Sequence, residues 1–150
     1  MVSSNIWGPV IWTFLHTMIE KLKNDKHAKE LFDMICLIIT HLPCPSCSAH
    51  AKLYLNRNSK KTSCLTTKQQ VKDFLFTFHN NVNLRVNKKQ LIYEDFKDFY
   101  KTHKLNLTFN HFRNVYNTRG NMVLIVESFQ RNIALKKISH WFITNRSYFN

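Results

Sequence analysis

The chain has 150 residues, 44% of them apolar, enough to bury a single hydrophobic core and too many for a disordered polymer. Two glycines and three prolines exclude a turn-rich β-sandwich and favour helices, with twelve phenylalanines available to fill the space between them. Twenty-two Lys and Arg against nine Asp and Glu give a formal charge of +13. That charge attracts something anionic (a phosphate-bearing cofactor, nucleic acid, an acidic protein or a membrane surface) without choosing among them.

In chain order, the start "MVSSNIWGPV" lacks the basic segment and apolar core of a secretory signal. A first helix is expected from near Ile6, capped by Ser4 or Asn5, with Pro9 in its first turn. Its inward stripe is Trp7, Val10, Ile11, Phe14, Leu15, Met18, Ile19 and Leu22. A second helix is expected from about Lys26 to His41. Its run Met34 to Ile39 is apolar all round, so burial on two sides is expected, one of them by a partner subunit. Pro43 stops that helix and Pro45 opens a third, to about Asn56. "NRNSKKTSCLTTK" reads as a polar loop. A fourth helix covers about Lys68 to Asn87, with Val71, Phe74, Leu75, Phe78, Val82 and Val86 inward, and a fifth covers Tyr93 to His103.

Beyond Leu105 the composition shifts to six Lys and Arg against one acid, Glu127. An amphipathic helix is expected over Met122 to Ile138, within an extension packed on the helical core. Arg113, Arg119, Arg131, Lys136 and Lys137, interleaved with Phe112, Tyr116 and Trp141, raise nucleic-acid contact, against the commoner reading of a solvated charged face. No stretch approaches the roughly 20 apolar residues that cross a bilayer, so a soluble cytosolic protein without a membrane partner is expected. Four cysteines are too few for a disulfide scaffold, and a cytosolic CxxC is redox-active or metal-binding.

The segment "HLPCPSCSAH" repeats His41, Cys44, Cys47 and His50 at every third position. As a zinc cage it is crowded: structural zinc usually takes two ligand pairs across a longer spacer, and a helix starting at Pro45 strands His41 behind it. As a redox pair it needs less. Two intervening residues let the sulfurs meet across the first helical turn, where free N–H groups and the positive helix end stabilise a thiolate. Two unrelated core cysteines are disfavoured by the Pro and Ser around them. Elsewhere, "WGPVIWTFLH" sets Trp12 and His16 one turn apart. "FHNNVN" sets His79, Asn80 and Asn83 on one face, followed by Arg85, Lys88 and Lys89. One aromatic, two histidines, two amides and a basic cluster suit a flat ring system that carries phosphates.

"WGPVIWTFLH", "LPCPSC" and "FHNNVNLRVNKK", in that order, resemble the Erv/ALR family of FAD-dependent sulfhydryl oxidases, most of all the compact forms from large cytoplasmic DNA viruses. The resemblance covers about Ile6 to Tyr100. It implies an all-α fold, a four-helix bundle with a short fifth helix, generally homodimeric, with FAD at the bundle mouth. It also implies a domain over residues 1–104 followed by the basic extension 105–150. Carried over by position, Gly8, Trp12, His16 and Val82 belong to the flavin site; His79, Asn80 and Asn83 contact the adenosine part, and Lys88 lies near the phosphates. Cys47 lies against the isoalloxazine and Cys44 faces the substrate; His50 shapes the pocket or simply packs. No metal is implied.

The implied partners are O2 and a thiol-bearing protein substrate or separate dithiol shuttle, because no second CxxC exists here to act as one. The implied place is host cytoplasm or virion. Two departures stand out: Phe76 occupies a position where the family often has a structural cysteine, and Lys89 replaces a proline. Cys36 is expected to be a buried inert thiol and Cys64 a free loop thiol. The alternative function is a zinc-stabilised basic module that binds nucleic acid.

Overall fold

The protein is described here as a computed structural model covering residues 3–117 and 125–150. The described residues form α1 (Ser4–Lys21), α2 (Ala28–Ile39), α3 (Pro45–Arg57), α4 (Ser59–Thr62), α5 (Lys68–Arg85), α6 (Tyr93–Phe96), α7 (Leu105–Tyr116) and α8 (Ile125–Thr144). Short 3-10 turns stand at Asp25–His27 and Arg146–Tyr148. The only strand-like pairing among them is one bridge, Leu22 to Phe149. The all-α expectation holds, and no helix among the described residues is long and apolar enough to cross a membrane.

Helix α1 starts two residues earlier than its apolar stripe indicated, because the Ser3 side chain accepts the Asn5 N–H at 3.2 Å and caps it. Pro9 therefore lies inside the helix and removes the N–H that would bond the Asn5 carbonyl. Helix α5 has a full capping box: Thr67 accepts from Gln70 N–H, and the Gln70 side chain accepts from Thr67 N–H. At its other end Asn87 takes φ 57°, a left-handed conformation that Asn tolerates. Lys88 N–H then reaches back to the Asn83 carbonyl at 2.8 Å and Asn87 N–H to Leu84 at 3.3 Å, a Schellman closure. Val86, expected inward, is consequently exposed at the helix end.

Three sequence expectations are corrected. The loop after Arg57 contains α4. The fifth helix stops at Phe96, and turns continue to His103. Between Leu105 and Tyr116 stands α7, a helix the sequence reading did not identify, while Met122 to Leu124 of the expected tail helix lie outside the described residues. Phe109, Phe112 and Tyr116 of α7 join the core, and Phe112 stacks on Phe14 of α1 with ring centroids 4.5 Å apart. Tyr116 donates its hydroxyl to the Ile38 carbonyl at 3.2 Å, and buried Arg131 of α8 donates to the Tyr116 carbonyl at 3.0 Å.

The second apolar side of α2 is thus covered within the chain. Helix α8 runs antiparallel to it, with Trp141 Nε1 donating to Glu30 at 2.8 Å near the start of α2. Phe112, Tyr116 and Arg131 are therefore buried and do not form a surface for nucleic acid, and Arg119 lies outside the described residues.

Phe112 has no exposed surface and three aromatic neighbours on α1 and α7. Phe112→Ala is expected to cost about 3–5 kcal/mol by opening a cavity between those helices. Urea unfolding followed by circular dichroism checks this, with a loss under about 1 kcal/mol contradicting the packing.

Candidate functional site

Helix α3 begins at Pro45, where proline's missing N–H costs nothing, and this makes Cys44 the residue that caps it. Cys44 Sγ accepts the Cys47 N–H at 3.3 Å and lies 3.3 Å from Ser46 Oγ. Cys44 and Cys47 are disulfide-bonded, with Cα atoms 5.2 Å apart. Ser48 fixes the approach to the motif: its hydroxyl accepts the Leu42 N–H at 2.8 Å, while Pro43 is buried. His41 bonds to the Leu37 carbonyl at 2.9 Å through Nδ1 and so closes the end of α2.

The disulfide lies in the wall of a cavity of about 500 Å³, the size range of small-molecule and cofactor sites. Gly8 and Trp12 from α1, Cys44, Cys47 and His50 around α3, and His79, Val82 and Asn83 from α5 line it, with Lys88 at its rim. Most of the residues named from the sequence therefore converge on one space. A Cβ built on Gly8 would meet nothing within 4 Å, so this stretch of wall borders open volume.

Its flat side is built from rings. Trp12 and His79 stack with centroids 3.8 Å apart and planes 5° from parallel. Behind them His16 Nε2 and His79 Nδ1 share a hydrogen bond of 2.9 Å, which places one proton between the two rings. His16 is 2% exposed, with Phe96 edge-on and Tyr100 stacked against it. Burial holds the His16 pKa well below the usual imidazole value, with His79 and Lys72 adding repulsion. His79 is lowered to about 4, first by burial and then by Lys88. His50 is also lowered, chiefly by burial and by Arg85. The ring wall is thus neutral at neutral pH, while Arg85 and Lys88 supply positive charge at the mouth.

Two named residues stand away from the cavity lining. His16 is one layer behind it. Asn80 uses its side chain on the backbone of Leu91, accepting the N–H at 2.7 Å and donating to the carbonyl at 3.0 Å. It thereby ties down the segment after α5. Sequence reasoning missed Tyr100, Asn5 and Leu42 as wall residues, and placed Phe78 only in the core. Tyr100 carried no signal, since it follows α6 in a stretch of turns. The Phe76 ring packs on Tyr93 and Phe96 at 5.4 and 5.0 Å, joining α5 to α6 by aromatic contact.

The other two cysteines are remote from this chemistry. Burial, with Asp33 nearby, pushes the Cys36 thiol up to about 12, so it stays protonated. Cys64 is free and exposed. Among the described residues no three His, Cys, Asp or Glu side chains converge as a metal site.

A profile of the Erv1/Alr family matches residues 9–104. An FAD-linked sulfhydryl oxidase of African swine fever virus (isolate Tick/Malawi/Lil 20-1/1983) is 35% identical over 103 residues, covering 67% of this chain and 84% of the relative. The counterpart from isolate Pig/Kenya/KEN-50/1950 is 35% identical over 98 residues, 63% of this chain and 80% of the relative. A putative FAD-linked sulfhydryl oxidase of Invertebrate iridescent virus 3 is 31% identical, covering 60% of this chain and 62% of that protein. No solved structure matches significantly.

The histidine pair makes stability pH-dependent. In the unfolded chain imidazole titrates near 6.5, whereas folded His79 titrates near 4. The unfolded state binds more protons in that window, so stability is full above about pH 6.5 and falls as the pH drops toward 4. Flavin-free protein is expected to lose about 1–3 kcal/mol across it. Urea midpoints at the two ends measure the loss, and His79→Gln should remove the His79 share while leaving the share that burial of His16 contributes.

Proposed function

The chain belongs to the Erv1/Alr family, and from that premise we propose that it is a FAD-dependent sulfhydryl oxidase that makes disulfide bonds in thiol-bearing partner proteins. The observation that carries this reading is the Cys44–Cys47 disulfide set in the wall of a cavity whose other side is a neutral stack of flat rings. A cavity of about 500 Å³ lined by flat rings suits a planar tricycle, and the Arg85 and Lys88 cations that also line it suit its phosphates. When bound, FAD supplies a two-electron acceptor that O2 reoxidises to give hydrogen peroxide.

The residues of the chain do the thiol chemistry. A substrate thiolate attacks Cys44 Sγ, forming a mixed disulfide and breaking the Cys44–Cys47 bond, with Cys47 leaving as a thiolate inside the cavity. The second substrate thiolate attacks the substrate sulfur of that mixed disulfide, and Cys44 leaves. The substrate has then lost two electrons, and the CxxC pair has gained them. Cys44 is a good leaving group because Cys47 N–H and the start of α3 stabilise its negative charge. Cys47, in the cavity wall, carries the sulfur that would face the bound cofactor, which would take up the electron pair.

In this reading Gly8, Trp12 and Val82 enclose the ring system with Cys47, and His50 closes the far side. His79 and Asn83 face the adenosine part, and Lys88, joined by Arg85, meets the phosphates. His16 acts through His79, and Asn80 acts by anchoring Leu91. Residues 1–104 carry the oxidase machinery, and 105–150 form an extension that completes its support. The protein works as a homodimer and takes its electrons from a separate dithiol protein, without nucleic acid.

A visible absorption spectrum tests the class. The purified protein is expected to be yellow, to bleach with dithiothreitol, and to recover its colour as oxygen is consumed. Cys44→Ser and Cys47→Ser should each lower dithiol turnover at least about 100-fold while the bound flavin is retained. A colourless protein that consumes no oxygen would overturn the reading.

A further inference from the structure

Helix α8 has two apolar faces. Arg131, Ala134, Ile138 and Phe142 point into the core. On the opposite side Val126, Phe129, Ile133 and Ile143 are 64, 65, 53 and 64% exposed. With exposed Lys136 and His140 these positions are spaced three, four, three, four and three residues apart, the repeat of a coiled-coil seam. The buried face is the back of the same heptad, so the seam is a deliberate second stripe and not the fringe of the first.

We propose that this seam is the homodimer interface, formed by two copies of the chain that pair their α8 helices antiparallel. This deepens the homodimer reading above and is independent of the redox chemistry. The shape of the patch selects the occupant. Apart from Ile125 at its first residue, the exposed apolar stripe keeps to two heptad positions, narrower than the broad face by which a helix lies on a membrane, and it fits another helix. The pattern complements itself in one orientation. With the helices antiparallel about their midpoints, Val126 meets Ile143 of the second copy, Phe129 meets His140, and Ile133 meets the aliphatic stem of Lys136. Parallel pairing would instead set Lys136 against Lys136.

The area agrees. The four exposed apolar side chains offer roughly 450 Å² per chain, within the ~300–600 Å² of the largest patch on an ordinary monomer, which is often functional. Lys136, His140 and the seam's flanks bring this toward the ~800 Å² per partner of a standard interface. Because α8 is antiparallel to α2, its first turns lie at the end of the bundle that leads into Cys44. The antiparallel dimer therefore places its two CxxC sites at opposite ends, each open to a substrate protein.

Sedimentation equilibrium of the full flavin-loaded chain over about 1–100 μM tests the interface. The unmodified protein is expected to be a dimer, and Phe129→Glu and Ile133→Lys each to weaken association at least about tenfold. Adding Lys136→Glu to Ile133→Lys restores dimerisation only in the antiparallel register, where the two new charges meet across the interface. That rescue also requires a folded chain. Flavin content and dithiol turnover, read on the same samples, report on the oxidase separately. A monomeric unmodified protein with normal turnover overturns the interface and leaves the enzyme intact. So does unchanged association in both single variants, or a monomer that binds anionic vesicles through this stripe. Failure of the rescue overturns the antiparallel pairing.

Discussion

Helix α1 is held between two aromatic stacks, and the site depends on that constraint. On one side Phe14 packs against Phe109, Phe112 and Phe142, so α7 and α8 fix where α1 lies. On the other, Trp12 stacks on His79 and His16 bonds to it, so α1 fixes the ring wall of the cavity. A shift of α1 driven from the Phe14 side moves Trp12 relative to the disulfide on α3. The C-terminal segment lies outside the family match, yet it is part of what positions the cavity.

The wall is neutral for a physical reason. Two imidazoles bonded nitrogen to nitrogen cannot both carry charge in a buried setting, and desolvation opposes even one. His79 and Trp12 therefore present uncharged rings, and not a cation, to whatever fills the cavity, with neutral His16 one layer behind. Positive charge is relegated to Arg85 and Lys88, which the end of α5 places at the mouth. The Schellman closure at Asn83 and Lys88 is what sets that spacing, because it reverses the chain immediately after the last helical turn.

The sequence made α1, α2, α3 and α5 legible, α1, α2 and α5 through a 3.6-residue stripe and α3 through Pro43 and Pro45, whereas the Ser3 cap and the Thr67–Gln70 box that fix two of the starts were not read. It also placed the CxxC at a helix start, where the disulfide now stands. Helix α7 escaped notice although Leu105, Phe109, Phe112 and Tyr116 follow the same period. No side chain caps its start, and the segment's charge imbalance drew the reading toward its surface. In the site, motif order brought most wall residues together. It did not show that Asn80 bonds to Leu91 or that Tyr100 closes the layer behind Trp12. Both depend on how the chain returns after α5, a path with no periodicity to read.

The net charge of +13 acts differently on the two kinds of encounter proposed for the protein. A substrate thiol approaching Cys44 reacts as its thiolate, and a positive field favours both its approach and its ionisation. Two copies of the chain, by contrast, repel at long range. In the proposed dimer, α8 offsets this with a largely apolar seam in which Lys136 faces Ile133 and not itself. Salt therefore has opposite effects on the two processes. It screens the attraction that would draw a thiolate to Cys44, and it screens the repulsion that would oppose the proposed pairing of α8. Charge serves the chemistry, and apolar burial on the far side of α8 has to supply the cohesion.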